Sequence, residues 1–323
     1  MLEKTFRLLA NWKVGDPAPD VTYDEQELQD LGNCLRKLVY SPRALRKRLQ
    51  QSGVSVIPAN FYSEIPTIED IERSDAAPVR YDAVFNRQHM MDMLGLLAPY
   101  AHEFAPPLEK SGSTEFAWKG GPFSFSDAMA YYCFVRHHRP KTIIEIGSGW
   151  STLVAHEAVK KNGAGSIVCI EPYPPDFLDR IGSVSEIVRE RAQDIDPSFF
   201  NSRLSDGDIL FIDSTHTVKH GSDCLHIYLQ VLPKLTVDVT IHAHDIYLPL
   251  PQPAQNMLDR QIYWTEQYLL YAYLIGNDRT GVDYGSTWHM QENADALRSF
   301  MCGRYPPGGA SLWFSQKSRS GVR

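Results

Sequence analysis

Short apolar runs alternate with amphipathic segments along the second half of the chain, a regularity that the first 115 residues lack. Apolar runs that end in glycine or an acidic residue are typical of buried parallel strands. They predict strands at 142–147, 166–172, 186–194, 208–214 and 239–247, with two late strands at 282–290 and 310–316. Segments with helical spacing lie at 124–139, 151–161, 223–235 and 263–276. Strands that alternate with helices in this way predict a doubly wound α/β sheet.

Turn-forming residues are concentrated between Ala98 and Pro122, just before the regular pattern begins. The prolines and glycines inside this stretch are Pro99, Pro106, Pro107, Gly112, Gly120 and Gly121. Such a concentration marks a boundary. We therefore predict a mainly helical N-terminal extension over residues 1–115 and a core domain over residues 116–323.

The charge balance narrows the range of partners. The chain has 32 basic and 39 acidic residues, a net charge of −7 with histidine neutral. Binding to nucleic acid or to an anionic membrane favours a strongly basic balance, so we expect neither partner. The sequence has neither a run of roughly 18 apolar residues nor a signal peptide at its start, and these features predict a cytoplasmic protein.

The five cysteines are odd in number, widely spaced and without a C-x-x-C motif. This pattern disfavours both a disulfide framework and a cysteine-rich zinc site. We expect reduced thiols, as in a cytosolic protein.

The first predicted strand ends in Glu145, Gly147, Ser148 and Gly149, and Ser151 opens the following helix. Glycines at such a turn let the backbone pass close to a ligand, and the start of the helix offers free N–H groups to it. A dinucleotide-binding loop has a third glycine where this chain has Thr152. Glu145 also suits a cationic or amine-bearing ligand better than a pyrophosphate.

Acidic residues end the next two predicted strands as well. Glu171, at the tip of the second strand, can accept hydrogen bonds from both hydroxyls of a ribose. Asp194, at the end of the third, can face an adenine amino group. With Glu145 they form a row of acids along one edge of the sheet, which predicts a nucleoside-bearing ligand.

The motifs TIIEIGSG, IVCIEP and ILFIDS occur in the order typical of class I S-adenosylmethionine-dependent methyltransferases, which the chain resembles from about residue 120 onwards. The resemblance implies a seven-stranded, Rossmann-like sheet with a late antiparallel strand at 308–316. It implies S-adenosylmethionine as cofactor, with the glycine loop against the methionine moiety, Glu171 on the ribose, and Asp194 or Gln193 near the adenine. The predicted cofactor contacts are Glu145, Gly147, Ser148, Gly149, Ser151, Glu171, Gln193, Asp194 and Asp213.

Strands four and five bring candidate catalytic residues to the same edge. Asp213 and Asp245 follow these strands, and two neighbouring carboxylates repel each other unless a cation lies between them. A divalent cation there would lower the pKa of a substrate hydroxyl, and His216 could take the hydroxyl proton. His242, on the other face of strand five, is interpreted as a core histidine.

This D-x-x-H motif resembles a metal-dependent subgroup of O-methyltransferases that acts on natural-product sugars and related small molecules. Where that subgroup has Glu-Asp at the end of strand five, this chain has His244 followed by Asp245. Asp213, His244 and Asp245 could still bind Mg, Mn or Fe, with histidine shifting the preference from Mg towards Mn, Fe or Zn. Alternatively, the metal is lost and His216 or His244 acts as a base alone.

A broader bacterial methyltransferase family resembles the segments NFYSEIP, HAHDIYLPLP and YWTEQYLL. The resemblance implies that Asn60 and Tyr62 contact the cofactor from the N-terminal extension. It also implies that four residues border the acceptor pocket: Tyr247, Trp264, Glu266 and Gln267.

These features predict an enzyme that methylates a hydroxyl group of a small-molecule, natural-product or sugar-like acceptor, with His216 as general base. The alternatives are methylation of a small amine, an NAD-dependent oxidoreductase, and a non-catalytic module that retains the cofactor pocket. We expect a small-molecule partner, and a homo-oligomer remains open. The N-terminal extension is the segment most suited to setting the choice of substrate.

Overall fold

The computed structural model describes residues 23–318, and its centre is a single sheet of seven strands. The strands are β1 Thr142–Ile146, β2 Ser166–Ile170, β3 Val184–Val188, β4 Asp208–Ile212, β5 Val239–Ala243, β6 Thr280–Gly285 and β7 Leu312–Gln316. Their order across the sheet is β3-β2-β1-β4-β5-β7-β6. The first five strands pair in parallel, and β7 lies antiparallel between β5 and β6. The order reverses at β1 and β4, which is where open α/β sheets bind their ligands.

Helices accompany the sheet and precede it. Those before the sheet are α1 Glu25–Val39, α2 Arg43–Gln51, α3 Ile68–Ala76, α4 Arg87–Ala101 and α5 Phe125–His138. Those between and after the strands are α6 Trp150–Asn162, α7 Ser198–Arg203, α8 Asp223–His226, α9 Ala254–Leu258, α10 Glu266–Leu274, α11 Ser286–Glu292 and α12 Ala294–Phe300. A π-helical turn at Ile227–Val231 and a 3₁₀ turn at Leu232–Lys234 continue α8.

The central strands are apolar on both sides, so each face of the sheet carries its own core. Ile143, Ile167 and Phe211 belong to the face covered by α4, α5, α6 and α12. Ile144 and Leu210 belong to the opposite face, which packs against the 223–234 helical segment and α10. Successive residues of a strand point to opposite faces, so a strand that is buried on both faces has a near-continuous apolar sequence. The architecture is the predicted doubly wound, Rossmann-like α/β sheet with one late antiparallel strand.

Two predicted strands differ from the structure. The third was predicted over 186–194, but β3 is an edge strand that runs from Val184 to Val188, and the charged residues after it, Arg189, Glu190 and Arg191, are exposed and outside the ladder. The late strand predicted over 282–290 ends at Gly285. The chain turns there into α11, where the backbone N–H of Ser286 donates to the carbonyl of Ser311.

The chain divides into two compact units, Met1–Asp70 and Ile71–Arg323. In the described part of the first unit, α1 and α2 have no buried residue. The predicted boundary at about residue 115 falls inside the second unit, because Leu94, Leu97 and Phe104 pack into the same core as α5. The signal at 98–122 therefore marks a loop within that core.

All five cysteines lie among the described residues, and each is a free thiol. Within residues 23–318, none of the helices combines the length and the apolar composition that crossing a bilayer requires.

Candidate active site

The tips of β1 and β4 touch at Gly147. Its φ of +80° is a left-handed conformation that favours glycine, and a Cβ atom there would lie 1.8 Å from the carbonyl oxygen of Asp213. The backbone N–H of Asp213 donates to Ile146, and that of Gly147 donates to Ile170. The predicted cofactor loop and the end of β4 are thus joined by backbone contacts that leave no room for a side chain at Gly147.

Glu145 lies under this loop rather than on its surface. Its side chain is fully buried and accepts hydrogen bonds from Tyr131 (2.8 Å) and Thr152 (2.5 Å). Burial raises the pKa of Glu145 to about 7, although the bonds from Thr152, Tyr131 and Ser151 oppose the rise. Thr152 also accepts from the backbone N–H of Gly149. Thr152, which replaces the third glycine of a dinucleotide loop, therefore links Glu145 to the glycine turn.

The two serines of the loop are also buried. Ser148 donates to the backbone carbonyl of Glu145 at 3.3 Å, and Ser151 lies in the first turn of α6. Ser148 immediately precedes Gly149, the N-cap of α6, so both serines lie at the N-terminal end of that helix, where backbone N–H groups lack partners within the helix.

The residues predicted to contact the ribose and the adenine lie at different positions relative to the strand ends. Glu171 directly follows β2 and accepts from the backbone N–H of Tyr173 at 2.9 Å. Gln193 and Asp194 lie in a 3₁₀ turn, Ala192–Asp194, well beyond the end of β3. Asp194 is paired with Arg191 at 2.7 Å and is half exposed. Glu171 is therefore at a strand tip as predicted, whereas Asp194 is not.

The backbone of His216 is anchored to the start of α10. Its carbonyl accepts from the N–H groups of Thr265 and Glu266, and its φ of +57° is left-handed. The neighbouring Thr215 is bound through its backbone N–H and its hydroxyl by Asp223. These contacts turn the chain after β4 so that the His216 ring lies over the sheet edge.

The His216 imidazole lies between buried and partly exposed carboxylates. Its Nδ1 is 2.8 Å from the Glu266 carboxylate, which also accepts from the Tyr228 hydroxyl at 2.7 Å. Its Nε2 is 3.2 Å from Asp213 and 3.5 Å from Asp245. The His216 side chain is 7% exposed and that of Glu266 1%. The buried Glu266 therefore contacts the Nδ1 side of the ring, and Nε2 lies on the side of the two aspartates.

His244 approaches the same two aspartates from the other side. Its Nδ1 is 3.7 Å from Asp213 Oδ1 and 3.6 Å from Asp245 Oδ1, while its Nε2 is 3.4 Å from Asp127. One ligand atom each of Asp213, His216 and Asp245 lie within 4.8 Å of one another. This group contains two of the three predicted metal ligands, Asp213 and Asp245, with His216 rather than His244 as its histidine. The His216 nitrogen is also slightly closer to the two aspartates than that of His244.

The carboxylates raise the proton affinity of both rings. Burial alone would lower the pKa of His216, but the hydrogen bonds to Asp213 and Glu266 raise it to about 10. Burial likewise opposes ionisation of His244, yet the charge of Asp213 and the contacts with Asp127 and Asp245 hold its pKa well above its usual range. Unless another cation neutralises the aspartates, both rings keep their protons at neutral pH.

His242, as predicted, is a core residue. It is fully buried on the face opposite Asp245, stacks on Phe211 with ring centroids 4.0 Å apart, and lies 2.8 Å from the Ser311 hydroxyl. Burial keeps its pKa well below its usual range.

The residues predicted to border the acceptor differ in their access to the site. The ring of Trp264 lies 4.8 Å from that of His216, and Tyr247 is half-buried and accepts from Asn256. Gln267 is buried and binds the backbone of Tyr247 and Leu250. Glu266 and Gln267 therefore have protein partners for their polar atoms, whereas Trp264 and Tyr247 are better placed to meet an acceptor.

Asn60 and Tyr62 belong to the first unit, where they form a local turn. The side chain of Asn60 accepts from the backbone N–H of Tyr62 at 2.9 Å, and Ser63 donates to Pro58. The rings of Phe61 and Tyr62 have centroids 4.0 Å apart, with their planes tilted by 39°, and both are largely exposed. Their predicted contact with the cofactor stays a prediction.

Sequence reasoning missed three supporting residues: Tyr131, Tyr228 and Asp127. Each is an ordinary core or helix-start position by its local pattern, and each reaches the site only through the fold. The one available signal was Asp127 in the first turn of a predicted helix, a place where an acid is unremarkable.

Comparison with known proteins agrees with this geometry. Residues 144–246, which contain the glycine loop and strands β4 and β5, match a family model described as a methyltransferase domain. A protein of Archaeoglobus fulgidus, described only as uncharacterised, is 34% identical over 159 residues, or 45% of this chain and 72% of that protein.

Several solved structures are similar at low identity. The O-methyltransferase TomG from Streptomyces achromogenes, in complex with SAM, is 15% identical, with coverage of 78% of this chain and 96% of its own and a TM-score of 0.36. An O-methyltransferase from Bacillus cereus in complex with SAH is 11% identical, with coverage of 78% and 100% and a TM-score of 0.37. Coclaurine N-methyltransferase is 10% identical, with coverage of 89% and 99% and a TM-score of 0.30. Because these scores are low, the fold is assigned from the strand order of this chain itself.

The match to a methyltransferase domain argues against an NAD-dependent oxidoreductase. Thr152 argues against it too, because a dinucleotide-binding loop has a third glycine at that position. The glycine loop and strands β4 and β5 lie inside the matched residues. The chain belongs to the class I S-adenosylmethionine-dependent methyltransferases.

Proposed function

We propose that the protein transfers the methyl group of S-adenosylmethionine to a hydroxyl group of a small-molecule, natural-product or sugar-like acceptor. His216 is the general base, and Asp213, His244 and Asp245 hold a divalent cation beside the acceptor. The observation that carries the proposal is the His216 ring, held by Glu266 on one side with Nε2 at the sheet edge next to the cofactor loop.

The chemistry needs a proton acceptor and alignment more than it needs activation of the donor. The acceptor oxygen attacks the methyl carbon while the sulfur–methyl bond breaks, so the sulfonium becomes the neutral thioether of S-adenosylhomocysteine. The hydroxyl proton passes to Nε2 of His216, since Nδ1 is taken up by Glu266. Proximity and orientation supply much of the remaining rate.

The donor set fits a divalent cation. Asp213 and Asp245 offer carboxylate oxygens, and the buried Nδ1 of His244 has no hydrogen-bond partner although it faces both of them. A bound cation supplies positive charge that lowers the pKa of an acceptor hydroxyl and orients it. The positive charge also competes with the protons on the two histidines.

This competition matters for His216 as a base. With a pKa of about 10, the ring is protonated at neutral pH and cannot accept a proton. Neutralising Asp213 and Asp245 removes part of the attraction that keeps the proton in place. We therefore expect the cation and His216 to act together rather than as alternatives.

The test is a transfer assay with matched acceptors. The protein, with S-adenosylmethionine and a divalent ion, is incubated with pairs that differ only in hydroxyl or amine, such as a phenol and its aniline. Mass spectrometry identifies the methylated atom. We expect the hydroxyl member to be methylated, and His216→Gln to lower kcat by roughly 100-fold or more while cofactor binding by calorimetry is retained. The exposed His220 offers the matched control His220→Gln, which should behave as wild type.

The acceptor atom, the general base and the cation can each be disproved by a separate result. Methylation confined to the amine members would make the protein an N-methyltransferase. Full turnover by His216→Gln would remove the base assignment. Full activity after chelation, with no gain on adding back Mg²⁺ or Mn²⁺, would remove the cation.

A further inference from the structure

Two buried carboxylates stand behind the two histidines of the site. Glu266 contacts Nδ1 of His216, and Asp127 lies 3.4 Å from Nε2 of His244. Each ring thus has one nitrogen towards its own carboxylate and the other towards the Asp213–Asp245 pair. Glu266 belongs to the base described above, whereas Asp127 has no role in it.

Asp127 is fixed by contacts that do not involve the site. Its Oδ1 accepts from the Ser286 hydroxyl and the backbone N–H of Ser311, and its Oδ2 accepts from that of Ala310. Its side chain is 4% exposed, and Gly309 lies so close that a Cβ there would be 2.3 Å from the carboxylate. A carboxylate held this firmly sets the orientation of any ring that lies against it.

The orientation leaves Nδ1 of His244 as the inward-facing nitrogen. A proton on Nε2 points towards Asp127, so the Nδ1 lone pair is directed at Asp213 and Asp245. This Nδ1 is buried and makes no hydrogen bond. Metal-ligating histidines commonly donate their other ring nitrogen to a carboxylate in this manner.

The separations between the inward-facing atoms also favour one kind of ion. Nδ1 of His244 is 3.7 Å from Asp213 Oδ1 and 3.6 Å from Asp245 Oδ1, too long for hydrogen bonds. Ligands about 2.1 Å from a tetrahedral zinc-type ion lie about 3.4 Å apart. Adjacent ligands of an octahedral Mg²⁺ lie only about 3.0 Å apart, and Mg²⁺ prefers oxygen to imidazole.

We infer that Asp127 is a positioning residue that fixes His244 as a nitrogen ligand, and that the cation site of Asp213, His244 and Asp245 prefers a transition ion such as Zn²⁺ or Co²⁺ to Mg²⁺. The inference rests on the cation in the proposed function, but it is independent of the reaction that the cation assists.

Cobalt is a suitable probe because its visible absorption reports the ligand geometry. Chelator-treated protein is freed of chelator and titrated with Co²⁺. We expect one equivalent to bind with the intense bands of a low-coordinate nitrogen–oxygen site, and one equivalent of Zn²⁺ to abolish them. About a thousandfold excess of Mg²⁺ should leave them in place.

Two variants separate the role of Asp127 from general loss of stability. Asp127→Asn should weaken Co²⁺ binding by roughly 10–100-fold. Asp208 is also a buried aspartate that accepts from backbone N–H groups, but it lies at the start of β4, the far end of the strand from the site. Asp208→Asn should destabilise the fold without changing the Co²⁺ affinity. If Asp127→Asn does not fold, His244→Gln tests the same ligand and should abolish the bands.

Several results would overturn the inference: no stoichiometric Co²⁺ binding, displacement of Co²⁺ by equimolar Mg²⁺, equal weakening by Asp127→Asn and Asp208→Asn, or unchanged bands in His244→Gln. Methyl transfer without Co²⁺ binding would leave the proposed reaction intact and remove this site. Co²⁺ binding in a protein that methylates no hydroxyl would leave this site intact and remove the proposed reaction.

Discussion

At the scale of single residues, the orientation of each histidine ring in the site depends on the carboxylate that it contacts. His216 and His244 share Asp213 and Asp245, and each also has a buried acid of its own. The sequence interpretation assigned Glu266 to the acceptor pocket. Its contact with Nδ1 of His216 makes it instead a residue that acts through the base.

Replacing Glu266 by glutamine should therefore impair the base and spare substrate binding. The amide carries no charge, so the pKa of His216 should fall, which by itself would leave more of the ring free to accept a proton. The amide also replaces a charge-assisted hydrogen bond, and the loss of a fixed ring orientation should outweigh that gain. We expect kcat to drop by roughly 10–100-fold with KM little changed, and an NMR titration of the ring to move to lower pH. Tyr228→Phe, which keeps the carboxylate, should cause a smaller loss. An unshifted titration would show that Glu266 does not govern the ring.

The raised pKa of His216 also makes a prediction about stability. The unfolded ring has a pKa of about 6.5, whereas the folded ring holds its proton to about pH 10. This contribution is complete below about pH 6.5 and is lost as the pH rises through about 10.

Urea unfolding of chelator-treated protein at pH 6.5 and pH 10 measures the effect. Between these pH values, wild type should lose roughly 1–3 kcal/mol more than His216→Gln does, because the aspartates are a quarter to a third exposed and the full shift must be discounted. His220→Gln should keep the wild-type dependence. An equal loss in wild type and His216→Gln would assign the pH effect to other groups.

At the scale of elements, the cofactor loop and the catalytic strand form one unit. Gly147→Ala would force a left-handed alanine and a Cβ atom into the carbonyl of Asp213. We expect a cost of roughly 2–4 kcal/mol in the free energy of unfolding, together with weaker binding of S-adenosylhomocysteine. Gly149→Ala is the stability control from the same loop, because a Cβ there meets nothing within 4 Å. Equal stabilities of the two variants would mean that the β1 and β4 tips are not in contact.

Much of the fold could be predicted because its signals are local. Apolar runs and the glycines that follow them place β1, β2, β4 and β5 with errors of a few residues. The end of β3 was missed because the prediction carried the strand through the charged residues Arg189, Glu190 and Arg191 to Asp194, whereas the ladder stops at Val188. The strand predicted over 282–290 was right up to Gly285 and wrong beyond it, because a short buried helix and a buried strand have similar composition.

The residues of the site also divide into those with a local sequence signal and those without one. His216, Asp213 and Asp245 could be predicted since each follows a strand, and parallel strands end at one edge of the sheet. The partners of the two rings could not, because Tyr228 and Glu266 are 38 residues apart and Asp127 precedes Ser311 by 184. Only the packing of α5, α10 and the Ile227–Val231 turn onto the sheet brings them to the rings.

At the scale of the whole molecule, the two compact units differ in how much they bury. The described helices α1 and α2 of the first unit have no buried residue, whereas α5 of the second is buried along most of its length. The sequence analysis nevertheless assigns the first unit a contact with the cofactor through Asn60 and Tyr62.

Chymotrypsin can test that assignment. Phe61 and Tyr62 are 87% and 83% exposed, so chymotrypsin should cut after them in the absence of ligand. If Tyr62 contacts the cofactor, saturating S-adenosylhomocysteine should slow this cut several-fold, as followed by mass spectrometry, while adenosine alone should protect less. Identical cleavage rates with and without S-adenosylhomocysteine would remove Asn60 and Tyr62 from the cofactor site.

The left-handed backbone of His216 and Asp245 has a consequence for anyone who engineers this protein. With φ near +57° and +55°, both residues occupy a conformation that costs side-chain-bearing residues about 1 kcal/mol each. A search for thermostabilising glycines would rank these two positions highly, because glycine relieves the strain. The search would then remove the proposed base and a proposed ligand of the cation. Gains in heat tolerance at these positions are expected to come at the expense of turnover, so directed evolution for robustness should hold both codons fixed.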